Sequence, residues 1–206
     1  FIALQDISYN RPQPMNVTIK TAKLLQFTSG STDNPKPILI DGKTMALGLE
    51  ANMSTFKFTI DTIGLTWLPL YHDMGLVGML ISPIACQVSI DYLATEAFAR
   101  RPMQWLKLIS KNKGTMCSGP TFGYEICARR ANSTDLEGLD LSSWKVAGIG
   151  ADMIRPNVLE IFAETFKECG FNNILGIDPF NAKKIEYANG LVIEQKSIHE
   201  VAEDGW

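Results

Sequence analysis

A chain of 206 residues, 46% hydrophobic and 20% charged, is long enough for one sizeable domain with a buried core, or one domain plus a small appendage. Its formal net charge of −3 argues against a nucleic-acid binder, because a phosphate backbone is gripped by a basic face. The longest apolar run, residues 75–86, contains Pro83 and falls short of the roughly 20 residues that a membrane-spanning helix needs.

In chain order, Leu24 and Leu25 belong to a short apolar strand that runs into a Ser/Thr/Gly loop. β-rich runs follow at residues 63–68 and 88–93. Residues 102–110, with Met103, Leu106 and Ile109 on one face, predict a short helix. A strand at 115–117 precedes the breaker Ser118-Gly119-Pro120, after which a second helix is expected over 121–130. A strand at 144–149 leads to the strongest helix signal, 155–169. There Val158, Phe162, Phe166 and Cys169 recur at helical spacing, Pro156 stands in the first turn and Gly170 just past the end. Strands alternating with helices at this pitch predict an α/β domain, a layered and mainly parallel sheet with flanking helices. Near the end, residues 184–187 and 191–195 flank Asn189-Gly190, a hairpin signal, so a small β-rich tail is expected. Cys86, Cys117, Cys127 and Cys169 lack the close spacing of a zinc knuckle or redox dithiol. They read as reduced, mostly buried thiols, which suits a cytoplasmic setting.

The most informative segment is Phe27-Thr28-Ser29-Gly30-Ser31-Thr32-Asp33-Asn34-Pro35-Lys36. Hydroxyl groups and backbone N–H groups in such a loop can converge on phosphate oxygens, and Lys36 adds a positive charge. The spacing of glycine and lysine is not that of a P-loop. By composition alone, the same string is a polar surface turn. As a string, it closely resembles the phosphate-loop signature of the adenylate-forming enzymes, the family of acyl-CoA synthetases, luciferases and nonribosomal peptide adenylation domains.

Further segments resemble that family in the same order. Trp67-Leu68-Pro69-Leu70-Tyr71-His72-Asp73-Met74-Gly75-Leu76 is similar to its next motif, in the His-Asp-Met-Gly form of the fatty acyl-AMP ligases. Taken alone, His72 is a hydrogen-bonded loop histidine. Ser118-Gly119-Pro120-Thr121-Phe122-Gly123-Tyr124-Glu125 resembles the segment lining the acyl tunnel. Residues 139–144 lead into Gly148-Ile149-Gly150-Ala151-Asp152, which resembles the strand whose Gly-Ala backbone packs against adenine. Without the family, Gly150-Ala151 is a strand-to-helix turn, with Asp152 or a neighbour capping the next helix.

The resemblance implies a partial large N-terminal lobe over residues 1–171. Residues 172–206 would be a hairpin-containing tail or a separate piece of the same lobe. It implies ATP-dependent activation of a fatty acid to acyl-AMP, with Mg2+, followed by transfer to the phosphopantetheine thiol of an acyl carrier protein. Coenzyme A is the alternative acceptor, and a truncated, non-catalytic acyl- or nucleotide-binding fragment is a further alternative. Thr28, Ser29, Gly30, Ser31, Thr32 and Lys36 would hold the β- and γ-phosphates, and Gly150, Ala151 and Asp152 would meet the nucleotide. His72 would be catalytic by gating the carboxylate's approach and Lys36 catalytic through the phosphates it holds, while His72, Asp73, Gly119, Thr121 and Tyr124 would bind the acid. No residue is assigned as a metal ligand. Met79, Leu80, Ile81 and Phe122 suit a tunnel wall or an ordinary core equally.

The chain also departs from the family pattern. Asp33 and Pro37 stand where glycine is usual, and Pro37 has no N–H and a fixed φ. After Gly170, nothing matches the family's aromatic-Gly-x-x-Glu motif, its ribose-binding Asp or its C-terminal lysine. Ile177-Asp178-Pro179 is similar to the later β-subdomain, which implies a segment dropped near residues 172–174. Beginning with Phe, the chain reads as a piece of a longer protein.

Overall fold

The computed structural model describes residues 23–27, 35–56, 58–151, 154–171, 173–178, 183–188 and 191–197. The chain divides into two compact units, Phe1–Ala51 and Asn52–Trp206.

In the first unit, β1 (Lys23–Phe27) pairs antiparallel with β2 (Pro37–Asp41), with Lys23 opposite Asp41 and Phe27 opposite Pro37. The phosphate-loop string thus joins two strands of a hairpin, and its residues 28–34 lie outside the described residues. Helix α1 (Gly42–Phe56) follows β2 at once. Asp41 caps it by accepting from the Thr44 N–H at 2.8 Å, and that backbone donor holds the Asp41 carboxyl below its ordinary range. No helix is expected here from the sequence. Gly42 and Gly48 weaken its intrinsic propensity, and Leu47 and Met53 remain exposed, so no buried stripe advertises it.

The second unit carries a seven-stranded sheet in the order β4-β3-β5-β6-β7-β8-β9. Strands β3 (Ile63–Thr66), β4 (Ser89–Tyr92), β5 (Met116–Gly119), β6 (Val146–Ile149) and β7 (Asn173–Asp178) are mutually parallel where they pair. β8 (Lys183–Ala188) and β9 (Leu191–Ser197) extend it antiparallel, as the Asn189-Gly190 signal predicts. The fold is the expected α/β class, a mainly parallel sheet with flanking helices.

Helix α5 (Thr121–Arg130) matches its predicted bounds, and α4 (Met103–Asn112) runs slightly past its own. Helix α7 (Pro156–Phe166) ends in a 3-10 turn, Lys167–Cys169, closed by Gly170 at φ 83°. A side chain at Gly170 would also crowd Ser142, with a Cβ 3.1 Å from the Ser142 Cβ. β3 ends two residues earlier than expected because Trp67 turns into the core and Pro69 follows.

Residues 75–86 form a π-helix, Met74–Ile81, continued by α2 (Ser82–Cys86). The Ser82 hydroxyl donates to the Val77 carbonyl at 2.8 Å, a bond across five residues. Among the described residues no helix is long and apolar enough to cross a membrane. The short helices α3 (Thr95–Arg100) and α6 (Ser133–Leu136) complete the layer.

An aromatic cluster fills the core. Trp105 of α4 is fully buried, with ring centroids 5.2 Å from Tyr124, 5.4 Å from Trp144, 5.9 Å from Trp67 and 5.9 Å from Phe98. Its indole N–H donates to Cys117 Sγ at 3.1 Å. All four cysteines are free, and three are buried. Burial pushes the Cys127 thiol up to about 12 and the Cys117 thiol well above its ordinary value, so neither is a thiolate nucleophile near neutral pH.

Candidate active site

From β3 the chain crosses to β4 on one side and then returns to add β5 on the other. That reversal makes a topological switch point between β3 and β5, and in open α/β sheets ligands bind beyond the carboxyl ends of the strands there. The segments leaving those ends are the motifs singled out from sequence. Trp67 to Asp73 follow β3, Pro120-Thr121 follow β5, and Gly150-Ala151 follow β6.

Gly119 lies opposite Ile149, and the Gly150 N–H reaches the Gly119 carbonyl at 3.4 Å, so Gly119, Thr121, Gly150 and Ala151 share one edge. Trp67 joins them from β3. A Cβ on Gly119 would stand 3.3 Å from its ring and one on Gly123 only 2.7 Å from it. The two glycines therefore admit the ring, which stacks on Phe98 at 3.7 Å and meets Phe122 edge-on at 5.8 Å. Sequence reasoning assigned no role to Trp67, although it lies inside a quoted motif. A large aromatic that meets two glycines more than fifty residues further along the chain has no local signature.

His72 occupies a turn whose N–H donates to the Pro69 carbonyl at 3.1 Å, and its own carbonyl accepts from Leu76 at 2.8 Å. Its Nδ1 lies 2.8 Å from Asp73 Oδ1 and 3.2 Å from the Met74 N–H, which Asp73 Oδ1 also accepts at 2.7 Å. Both side chains are about half exposed. Nδ1 is thus engaged within the turn itself, by the Asp73 carboxylate and the Met74 N–H. Gly75 makes the turn possible, because a Cβ there would come 2.2 Å from the Pro69 carbonyl oxygen.

Thr121 and Tyr124 are fully buried. Tyr124 sits among Trp105, Trp144 and Phe162, and its hydroxyl donates to the Gly148 carbonyl at 2.9 Å. It thereby anchors β6 just before the Gly150-Ala151 turn. Gly148 leaves room for Ser118, whose Oγ would be 2.3 Å from a Cβ.

Ala151 adopts φ 64°. Gln87 and Lys113 share a positive φ, but both are helix C-caps, where that conformation is ordinary. Ala151 closes no helix. Its left-handed backbone costs an L-residue roughly 1–2 kcal/mol, a strain of the kind that concentrates at functional sites.

Lys36 is exposed, one residue ahead of β2 in the first unit. Thr28, Ser29, Gly30, Ser31, Thr32 and Asp152 lie outside the described residues. Among the described residues no group of three or more His, Cys, Asp or Glu side chains is placed to hold a metal ion.

Residues 4–177 match the AMP-binding enzyme family, and the chain belongs to that family. It is 47% identical over 150 residues to a Caulobacter vibrioides protein provisionally named an acyl-CoA synthetase, covering 72% of this chain and 26% of that protein. It is 37% identical over 159 residues to a medium-chain-fatty-acid–[acyl-carrier-protein] ligase of Moorena producens, covering 77% of this chain and 27% of the ligase. Among solved structures, one from a study of fatty acyl-adenylate ligases of E. coli and L. pneumophila superposes with a TM-score of 0.73 at 45% identity, over 84% of this chain and 31% of that one. A fatty acyl-adenylate ligase of L. pneumophila in complex with acyl adenylate and pyrophosphate superposes equally well, at 34% identity over 82% of this chain and 31% of its own. The chain thus spans about a quarter to a third of the length of these relatives.

Proposed function

We propose that the protein to which this chain belongs activates a fatty acid with ATP and passes the acyl group to the phosphopantetheine thiol of an acyl carrier protein. The observation that supports this most is that Gly119 and Gly150 meet at the carboxyl edge of the sheet beside its switch point, with His72 on the segment that leaves the neighbouring strand β3. The names of relatives that act on fatty acids agree with it.

In the first half-reaction a carboxylate oxygen bonds to the α-phosphorus of ATP as the bond to the bridging oxygen breaks, giving acyl-AMP and pyrophosphate. Such a displacement needs positioning and charge neutralisation more than covalent help. Thr28, Ser29, Gly30, Ser31, Thr32 and Lys36 supply donors and positive charge to the leaving phosphates. His72 and Asp73 meet the incoming acid, and Gly150, Ala151 and Asp152 the adenine. Gly119 and Thr121 wall the acid's site, with Tyr124 shaping that wall from within. In the second half-reaction a thiolate bonds to the acyl carbon and AMP leaves.

The full-length protein is expected to show fatty-acid-dependent exchange between ATP and pyrophosphate. Lys36→Ala or Thr28→Ala should weaken that exchange about ten- to a hundredfold, the worth of one hydrogen bond to a charged group. Exchange that ignores the carboxylate would defeat the reading. A second reading, with coenzyme A as acceptor, draws on the name of the Caulobacter relative. Given both acceptors in competition, the protein should load the carrier faster; equal or better use of coenzyme A would reverse that choice.

A further inference from the structure

Helix α5 grips the connection between β6 and α7 at two points. Tyr124 donates to the Gly148 carbonyl ahead of the Gly150-Ala151 turn. The next residue, Glu125, holds Arg155 beyond the turn through Oε2 and Nη2 at 2.6 Å, across thirty residues of sequence. The strained Ala151 lies between these anchors.

The ion pair is an odd choice if stability alone is at stake. Its two side chains are 42% and 39% exposed, and pairs so solvated contribute about 0–1 kcal/mol. Arg155 also stands at the N-cap of α7, without a side-chain capping bond, where the positive end of the helix dipole disfavours a cation. Glu125 offsets that repulsion. What the pair supplies is position: it ties the start of α7 to the helix whose own first turn borders the same sheet edge.

We infer that Glu125 and Arg155 are positioning residues that hold the Gly150-Ala151 turn in its left-handed form, and that this form is the one the nucleotide binds. The second clause rests on the adenylating function proposed above. Neither side chain touches the reacting atoms. A turn that costs free energy to maintain relaxes when one of its two tethers is cut, and the nucleotide must then restore it at the expense of affinity.

The test uses the full-length protein with Glu125→Gln, Arg155→Gln and the swapped pair Glu125→Arg with Arg155→Glu. Hydrogen exchange at the Gly150 and Ala151 amides should quicken at least ~fivefold in each single variant, and the KM for ATP should rise ~fivefold or more. The KM for the fatty acid should hold within about twofold, and the melting temperature within about 2 °C, as a solvated pair implies. The swapped pair should restore most of both losses. Unchanged amide exchange, an unchanged KM for ATP, or a parallel rise in both KM values with a lowered melting temperature would each overturn the inference. Should the wild type lack acid-dependent exchange, the proposed function fails on its own. Direct titration with AMP then replaces the KM, and equal affinity in wild type and variants overturns the inference.

Discussion

Gly75→Ala is expected to abolish most acid-dependent ATP–pyrophosphate exchange, while Gly78→Ala three residues on leaves it intact. A Cβ at position 75 would lie 2.2 Å from the Pro69 carbonyl oxygen and 2.9 Å from its carbon, and neither atom can rotate aside. The same carbonyl accepts the His72 N–H, and the His72 carbonyl accepts from Leu76, so the whole turn must move to admit a methyl group. Overpacking of this kind costs typically 1–3 kcal/mol, with backbone obstruction at the upper end. Displacement of a catalytic side chain by about 1 Å can cost ~100-fold in rate. At Gly78 nothing lies within 4 Å of a Cβ, so alanine there is expected to be neutral. Exchange at the wild-type rate in the Gly75 variant would remove His72 from the proposed mechanism.

The largest loss of stability is expected from Trp105→Ala, about 3–5 kcal/mol by the usual cost of emptying a large core aromatic. Trp105 has no exposed surface and touches four other aromatic rings, joining α4 to the sheet and, through Tyr124, to the anchor on Gly148. Its removal also deletes the N–H donated to Cys117. At roughly 2–4 °C per kcal/mol for a domain of this size, the melting temperature should fall by about 6–20 °C. Thermal or denaturant unfolding checks this, and a shift below about 2 °C would mean that the cluster repacks freely. Trp105→Phe, which keeps a ring in place, should lose less than half as much.

These two sites differ in how far they could be read from sequence. Helix α5 was legible from the breaker that ends at Pro120, and α7 because Pro156 and Gly170 punctuate it and its apolar residues repeat with helical period. The strands β3, β4, β5 and β6 were legible as β-branched and apolar runs between breakers, to within two residues at their ends. Helix α1 was missed because an exposed helix carries no buried stripe. The π-helix was missed because its five-residue hydrogen-bond step leaves no distinctive composition.

The sequence by itself determined the α/β class, the order of the motifs and the identity of His72, Gly119, Gly150 and Ala151 as residues of interest, since each rests on neighbours within a few positions. Only the tertiary structure decided that β4 and β5 lie on opposite sides of β3, which brings those motifs to one edge. It alone decided, too, that Trp67 slots against Gly119 and Gly123, that Ala151 turns left-handed, and that Glu125 reaches Arg155. Each of these depends on residues far apart in the chain, and strand order and side-chain partnership are settled by which packing buries the most apolar surface with its polar groups paired, a property of the whole fold.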